Sequence, residues 1–322
     1  MLETVGKDLL TMGGLALGCG IILGPLLIPF LRRLKFGQSI RHDGPKTHLV
    51  KAGTPTMGGF LIWGAMAIAL TFWQRWTRES LLLGLVILGH ALLGFLDDYI
   101  KAVYKNPDGL SARWKLIGQI GLSISFYIFL LRDAVTNIRI PLLNIAIPLG
   151  PLYPVFVVLY LAFFSNAVNF ADGIDGLNGG LTAIFSFLCI IIACNQEQLD
   201  LAFFTAAMLG GILAFLVFNR HPARLFMGDT GSLGLGAALA GLALLLKQEV
   251  ALFIAGIIFV IEIFSVIIQV LYFKKTKGKR FFKMAPIHHH FEMLGWSEWR
   301  VDFTFWSIAI LAAFLGYALT IY

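Results

Sequence analysis

The chain has 322 residues, of which 58% are hydrophobic and only 13% charged, against roughly 25% charged residues in an ordinary soluble domain. This composition excludes a water-soluble globule, which could not bury so much apolar surface, and a disordered chain, which needs low hydrophobicity and high charge. The net charge of +7 would suggest a nucleic-acid partner in a soluble protein, but here it indicates positive cytoplasmic loops. We therefore expect a protein embedded in membrane lipid, with no nucleic-acid partner.

Uncharged, apolar runs recur along the whole chain at about the length that a membrane-crossing helix needs, roughly 17–25 residues. In chain order they are 9–31, 52–74, 80–96, 116–131, 140–171, 176–196, 201–219, 230–246, 250–273 and 303–322. Four prolines between 141 and 154 predict a surface loop there, followed by a helix near 152–166. The runs are continuous, which excludes a β-barrel. We expect an all-α polytopic integral membrane protein with ten transmembrane helices, in which residues 1–322 form a single transmembrane domain.

The distribution of basic residues predicts the orientation of these helices. An even number of crossings places both termini on one side, and 19 of the 25 lysines and arginines then fall on the opposite side. Because cytoplasmic loops are enriched in basic residues, we expect both termini outside the cytoplasm. The first run follows no basic segment, so we expect no cleaved signal peptide. The three cysteines lie in apolar runs without metal or disulfide spacing and are interpreted as packing residues.

Polar residues concentrate in the predicted cytoplasmic loops, beside the ends of the helices. The first cluster runs from Lys51 to Gly59 and contains Thr56 and three glycines. Its hydroxyls and small residues suit the close approach of a ligand. A plain helix start at Pro55 is the alternative interpretation.

Two adjacent carboxylates, Asp97 and Asp98, stand at the inner end of the third predicted helix. They repel one another and are costly at the edge of the hydrocarbon. If the helix continues, Asp97, Lys101 and Lys105 share one face, and Arg113 and Lys115 add further positive charge. Carboxylates and ammonium groups together suit a phosphorylated substrate with a metal. A salt bridge at the helix end is the alternative, and it leaves Asp98 unexplained.

Four polar residues recur every three positions after the fifth predicted helix: Asn166, Asn169, Asp172 and Asp175. Glycines between and after them predict a tight, non-helical passage. Asp175 can instead serve as the cap of the following helix.

The next polar cluster, which includes Asn219 and Phe226, leads into Gly-Asp-Thr-Gly-Ser at the start of the eighth predicted helix. Backbone N–H groups at a helix start attract phosphate, and the carboxylate of Asp229 can hold a divalent cation. A simple helix cap at Asp229 or Thr230 is the alternative.

Three consecutive histidines, His288, His289 and His290, lie in a basic loop. They could bind zinc, but consecutive side chains point in different directions, and the hard carboxylates elsewhere favour Mg²⁺. We interpret them as contacts to phosphate. Glu262 lies within the ninth predicted helix, where an ionisable residue indicates a site or a hydrogen bond to a neighbouring helix.

The acidic clusters all fall on one predicted face of the membrane, at the interface. Proton-relay carboxylates of a transporter would lie closer to the midplane. An interfacial position suits chemistry that joins a water-soluble phosphorylated donor to a lipid acceptor.

Three of these segments resemble the signatures of the polyprenyl-phosphate N-acetylhexosamine-1-phosphate transferase superfamily: Asp97-Asp-Tyr-Ile-Lys, Asn169-Phe-Ala-Asp-Gly-Ile-Asp-Gly-Leu and Phe226-Met-Gly-Asp-Thr-Gly-Ser. Two further segments, Pro55-Thr-Met-Gly-Gly and Met284-Ala-Pro-Ile-His-His-His-Phe-Glu, resemble its phospho-N-acetylmuramoyl-pentapeptide transferase branch. The resemblance covers the whole chain, including the ten predicted helices.

The resemblance implies a reaction. Phospho-N-acetylmuramoyl-pentapeptide passes from UDP-N-acetylmuramoyl-pentapeptide to undecaprenyl phosphate, giving lipid I and UMP, in a bacterial plasma membrane with Mg²⁺ as cofactor. It also implies catalytic roles for Asp97, Asp98, Asp229 and His288, and metal ligation by Asp229 with Asp172 near it. The clusters and the resemblance together give the expected substrate-binding residues, which are Lys51, Thr56, Lys101, Lys105, Lys115, Asn166, Asn169, Asp175, Asn219, Phe226, Glu262, His289 and His290.

Some alternatives remain open at the level of sequence. Asp97 either deprotonates the lipid phosphate or attacks the donor to form a covalent intermediate. A sister transferase that uses UDP-N-acetylglucosamine has the same acidic clusters, and an ion-coupled transporter is the alternative from another class. We expect a homodimer, since membrane dimers are common.

Overall fold

The computed structural model describes residues 2–34, 53–72, 77–106, 108–131, 135–143 and 145–321. Within these ranges the chain forms twelve α-helices and one two-stranded sheet. The helices are α1 (Leu2–Arg33), α2 (Gly59–Thr71), α3 (Arg78–Val103), α4 (Ala112–Phe126), α5 (Tyr153–Phe170), α6 (Leu177–Asn195), α7 (Leu199–Asn219), α8 (Gly228–Leu245), α9 (Glu249–Ala255), α10 (Ile257–Lys275), α11 (Ile287–Glu292) and α12 (Glu298–Ile321).

Eight of the described helices are long and apolar enough to cross a membrane, so the chain is a polytopic membrane protein, as its composition predicts. They are α1, α3, α5, α6, α7, α8, α10 and α12. The run at 52–74 forms the shorter helix α2 with 13 residues, and the run at 116–131 forms the end of α4, which has 15 residues and continues as a π-helix over Tyr127–Leu131. The count of ten crossings therefore stays a prediction.

The proline-rich stretch before α5 is a small hairpin, not an irregular loop. Strands β1 (Asn137–Ile140) and β2 (Ile145–Pro148) pair antiparallel, with Arg139 opposite Ala146. Isoleucine occupies alternate positions of both strands, and β-branched residues favour extended backbone. The departure from an all-α fold is confined to these two short strands in the part of the chain that the structure describes.

The predicted helix at 250–273 is broken at Gly256, which separates α9 from α10. Glycine lowers helix propensity, and this residue lies against the Phe164 ring, where a Cβ would come within 3.0 Å of Cε1. The break leaves Glu262 near the start of α10, well inside the bundle.

Glycines allow α8, the most deeply buried of the eight candidate crossings, to pack closely against its neighbours. A Cβ on Gly94 of α3 would collide with the Asp229 carbonyl, and one on Gly236 of α8 would collide with the Phe164 carbonyl of α5. Small residues at helix crossings let backbones approach in this way. The C-terminal end of α3 is thereby held against the start of α8.

Candidate active site

Three carboxylates meet where the end of α3 contacts the start of α8. Asp97, Asp98 and Asp229 each offer an oxygen within 4.8 Å of the others. Asp97 and Asp98 are buried, and Asp229 is partly buried. The structure therefore brings together the acidic residues of two clusters that are 131 positions apart in sequence.

Two lysines bridge these carboxylates and offset their mutual repulsion. Lys115 Nζ, on α4, lies 3.0 Å from Asp97 Oδ1 and 2.7 Å from Asp229 Oδ2. Lys101 Nζ lies 2.5 Å from Asp97 Oδ2 and 3.3 Å from Asp229 Oδ2. The contact between Asp97 and Lys101 follows the i, i+4 spacing that the sequence predicts. The centre thus combines negative oxygens with two ammonium groups that can face a phosphate.

Asp98 has a structural role that the sequence does not reveal. Its Oδ1 accepts a hydrogen bond from the Asp229 backbone N–H at 3.1 Å. Its Oδ2 accepts hydrogen bonds from the Thr230 N–H at 2.9 Å and the Thr230 hydroxyl at 2.7 Å. These N–H groups belong to the first turn of α8, so Asp98 caps that helix from α3. The alternative in which Asp229 or Thr230 is the cap is wrong, since the N-cap is Met227 and makes no side-chain cap bond.

The loop after α3 folds back over Asp97. Because α3 ends at Val103, the helical face that Asp97 and Lys101 share does not extend to Lys105, whose side chain is exposed. Gly109 adopts φ +61°, and a Cβ there would come within 2.5 Å of Asp97 Oδ1. The Leu110 N–H then donates to that oxygen at 2.6 Å. Asp97 is thus held by the loop as well as by the lysines.

The polar residues after the fifth crossing lie partly on helix α5, which continues to Phe170. The predicted non-helical passage is therefore confined to 171–176. Asn169 Nδ2 donates to Asp229 Oδ1 at 2.9 Å and to the Ser232 hydroxyl at 2.8 Å. Asn169 thus orients Asp229 from the side opposite the lysines.

Asp172 lies in the 171–176 turn, outside the group of three close carboxylates. Burial, followed by the negative charges of Asp229 and Asp98, raises the pKa of its carboxyl to about 8, and a hydrogen bond from Asn178 limits the rise. A cation between Asp172 and Asp229 would favour the ionised form of both groups.

Two predicted substrate-binding residues direct their side-chain amides into the protein. Asn219 Oδ1 accepts from the Gly176 N–H, and its Nδ2 donates to the Leu225 carbonyl, each at 2.9 Å. Asn166 Nδ2 donates to Gln119 Oε1 at 2.8 Å and to the Ala162 carbonyl at 2.7 Å. The bonds of Asn219 hold the loops before α6 and α8 in place, whereas those of Asn166 join α5 to α4.

Asp175 forms a second cluster beside the carboxylate–lysine centre. Its Oδ2 lies 3.1 Å from His221 Nδ1 and accepts from the Ala223 N–H at 2.9 Å, while its own N–H donates to Glu298 Oε2 at 3.0 Å. The alternative in which Asp175 caps α6 is wrong, because the N-cap is Gly176. Sequence reasoning missed His221 and Glu298. His221 lies in a cluster that the sequence does single out, whereas nothing distinguishes Glu298 from an ordinary helix start.

The segment at 55–59 is fixed to the start of α8 by backbone hydrogen bonds. The Gly58 N–H donates to the Phe226 carbonyl at 2.7 Å, and the Phe226 N–H donates to the Pro55 carbonyl at 2.9 Å. Thr56 Oγ1 lies beside Gly228, where a Cβ would come within 2.8 Å of it. Thr56 and Phe226 are therefore neighbours at the rim of the centre, whereas Lys51 lies outside the described residues.

The three consecutive histidines face three different partners. His288 Nδ1 lies 3.1 Å from Glu262 Oε2, and His289 Nδ1 lies 2.7 Å from Glu292 Oε2. His290 Nδ1 accepts from the Lys283 N–H at 3.1 Å. In the described part of the chain, neither group of potential metal ligands includes these histidines, so the geometry does not favour zinc.

Comparison with known proteins identifies the family to which the chain belongs. A family model described as "Glycosyl transferase family 4" matches residues 80–247, which include the carboxylate–lysine centre. A Bacillus subtilis protein named phospho-N-acetylmuramoyl-pentapeptide-transferase is 51% identical over 321 residues, which is 98% of each chain. Proteins of the same name from Bacillus licheniformis, 50% identical over 98% of each chain, and Bacillus cereus, 52% identical over 96% of this chain and 97% of the relative, are also similar. The chain belongs to the phospho-N-acetylmuramoyl-pentapeptide transferase family.

Proposed function

We propose that this protein transfers phospho-N-acetylmuramoyl-pentapeptide from UDP-N-acetylmuramoyl-pentapeptide to undecaprenyl phosphate, giving lipid I and UMP. The observation that carries the proposal is about half identity, over nearly the whole chain, to relatives named for this transferase. The reaction is the first membrane step of peptidoglycan synthesis, and we place the enzyme in the bacterial plasma membrane. The homodimer and the single domain stay predictions.

The main physical obstacle to this reaction is charge repulsion between two phosphorylated substrates. A phosphate oxygen of the lipid attacks the phosphorus that carries the sugar, a new P–O bond forms, and the P–O bond to UMP breaks. Lys101 and Lys115 present ammonium groups at the centre of the carboxylate cluster, where they can offset the negative charge of both substrates.

We propose a single displacement in which Asp97 receives a proton from the lipid phosphate. Asp97 is fully buried, and both of its oxygens contact the lysines or the Leu110 N–H. These contacts hold the carboxylate in place and restrict its direct attack on the donor. A lipid phosphate ionises near neutral pH, so the reaction needs only a weak base.

The donor set of the centre fits a hard divalent cation. Carboxylate oxygens within 4.8 Å of one another are ligands that Mg²⁺ prefers. We propose Asp229 as the principal ligand, with Asp172 beside it. When bound, Mg²⁺ neutralises charge on the diphosphate and stabilises the departing UMP.

Metal dependence follows from this assignment. Removal of divalent cations with EDTA should abolish UMP release by the purified enzyme, and added Mg²⁺ should restore it. Restoration by zinc alone would contradict the assignment, because it would implicate the histidines as ligands.

We propose that the carboxylate–lysine centre faces the cytoplasm and that both termini lie outside it, in agreement with the distribution of basic residues. A cysteine introduced at Asn106, in the loop after α3, should react only with reagents that reach the cytoplasmic face. A cysteine introduced at Gln198, just before α7, should react from the opposite face. The reverse labelling pattern would contradict the orientation.

The nature of the sugar separates this proposal from the sister transferase. The loop around α11 is basic and rich in histidine, so it can contact the lactyl-peptide arm that N-acetylglucosamine lacks. A site built for polar contacts discriminates strongly against a substrate that leaves them unpaired. With undecaprenyl phosphate and Mg²⁺, UMP should appear from UDP-N-acetylmuramoyl-pentapeptide and hardly at all from UDP-N-acetylglucosamine. Equal rates would favour the sister transferase, and no UMP from either donor would favour the transporter.

A further inference from the structure

Helix α11 folds back into the bundle and contacts α10 through one buried carboxylate. Glu262 is fully buried, and its Oε2 accepts a hydrogen bond from the Ile287 N–H at 3.1 Å. Ile287 is the first residue of α11, and the first N–H groups of a helix have no partner within it. Glu262 therefore holds the start of α11 from a different helix.

The same carboxylate oxygen faces the next side chain, His288. Glu262 Oε2 lies 3.1 Å from His288 Nδ1, and the imidazole is fully buried. The other ring nitrogen, Nε2, points at the 171–176 turn, where a Cβ on Gly173 would collide with it. Among the described residues neither ring nitrogen has a hydrogen-bond partner: Nδ1 makes the close ion-pair contact with Glu262, whereas Nε2 makes none. A buried nitrogen without a partner is thus directed at the turn that carries Asp172.

We propose that Glu262 is a positioning residue for His288, and not a substrate contact as the sequence suggests. A carboxylate beside Nδ1 favours the tautomer that carries its proton there, and it fixes the plane of the ring. Nε2 then carries the lone pair that can accept a proton, and it directs this lone pair at the turn that holds Asp172. The inference rests on the proposed transfer reaction, in which His288 is a catalytic residue.

A double-mutant cycle tests whether Glu262 acts through His288. Glu262→Ala and His288→Ala should each lower kcat by about a hundredfold, with the donor KM changed by less than about threefold. The double variant should be no slower than His288→Ala, because residues that act as one unit are not additive. Glu262→Gln should recover about tenfold relative to Glu262→Ala, since its amide oxygen can still accept from the Ile287 N–H.

Glu249 provides a matched control. It is also a buried glutamate, 2% exposed, at the start of α9 and away from α11. Glu249→Ala should leave kcat within about threefold of wild type, and its effect should add to that of His288→Ala. A further loss of about tenfold when Glu262→Ala is added to His288→Ala would overturn the positioning role. So would a raised donor KM with unchanged kcat in Glu262→Gln, which would mark a direct substrate contact.

A second measurement does not depend on turnover. With histidines labelled by the NMR-active nitrogen isotope, the His288 signals can be identified by their loss in His288→Ala. They should report a proton on Nδ1 in the wild type, and Glu262→Ala should remove that preference. An unchanged tautomer in Glu262→Ala would overturn the inference, whereas a wild type that fails to transfer the sugar would count against the proposed function alone.

Discussion

Replacing Asp229 with asparagine is expected to lower kcat by at least about a hundredfold, equivalent to about 2.7 kcal/mol of transition-state stabilisation. Asp229 Oδ2 accepts hydrogen bonds from the ammonium groups of Lys101 and Lys115, and its Oδ1 accepts one from the amide of Asn169. The amide keeps the size of the side chain but removes the charge that the lysines and the proposed Mg²⁺ require. The start of α8 should persist, because Asp98 supplies its cap.

Asp200 offers a matched control for this substitution. It also lies in the first turn of a helix, α7, away from the carboxylate–lysine centre. Asp200→Asn should leave both kcat and the unfolding temperature close to those of the wild type. If Asp229→Asn folded and retained full activity with the Mg²⁺ dependence of the wild type, the metal-ligand role would be contradicted.

The second large effect is expected for Asp97, whose replacement by asparagine should also lower kcat by about a hundredfold or more. The amide oxygen can still accept from the Leu110 N–H, so the loop after α3 should stay in place. What disappears is the negative charge between Lys101 and Lys115 and the capacity to receive a proton. The kcat of the purified variant and its unfolding temperature are measured in the same detergent.

The neighbouring Asp98 distinguishes chemistry from stability. Asp98→Asn replaces an acceptor of the α8 cap with an N–H₂ group that faces other donors. It should therefore lower the stability of the fold by about 1–3 kcal/mol as well as the activity. Asp97→Asn turns one of the oxygens that face Lys101 and Lys115 into an N–H₂ group, so it should lower the unfolding temperature as well. A chemical role for Asp97 requires that the loss of kcat persist well below the unfolding temperature of the variant, and a wild-type kcat under those conditions would contradict that role.

Isotope exchange separates the two possible roles of Asp97. If Asp97 attacked the donor, the wild-type enzyme would exchange labelled UMP into UDP-N-acetylmuramoyl-pentapeptide in the absence of lipid. Single displacement predicts no such exchange without the acceptor. Exchange that is present in the wild type and absent in Asp97→Asn would show that Asp97 is a nucleophile and not the proposed base.

The membrane-crossing segments were the most predictable part of the fold, because a continuous apolar run of this length is typical of a membrane-spanning helix. The run at 152–166 predicts helix α5 to within a few residues at each end. The break at Gly256 was not predictable, since it depends on the Phe164 ring that packs against it. Hydropathy does not report where a helix ends within an apolar segment.

The acidic centre could be predicted as a group because its residues flank the ends of apolar runs that the sequence analysis assigns to one face of the membrane. The particular residues that contact each carboxylate could not be predicted. Lys115 reaches Asp229 across 114 positions, and Glu298 reaches Asp175 across 123. Such contacts depend on how closely the helices pack, which glycines such as Gly94 determine. The capping role of Asp98 has the same origin.

The central claim is that this enzyme moves a phospho-sugar onto a lipid phosphate, and the mass of the lipid product tests it most directly. The purified protein is incubated with UDP-N-acetylmuramoyl-pentapeptide, undecaprenyl phosphate and Mg²⁺, and the organic extract is analysed by mass spectrometry. The lipid should gain one phospho-N-acetylmuramoyl-pentapeptide for each UMP released, and Asp229→Asn should form almost none. UMP release without that lipid product would mean hydrolysis of the donor and would contradict the account.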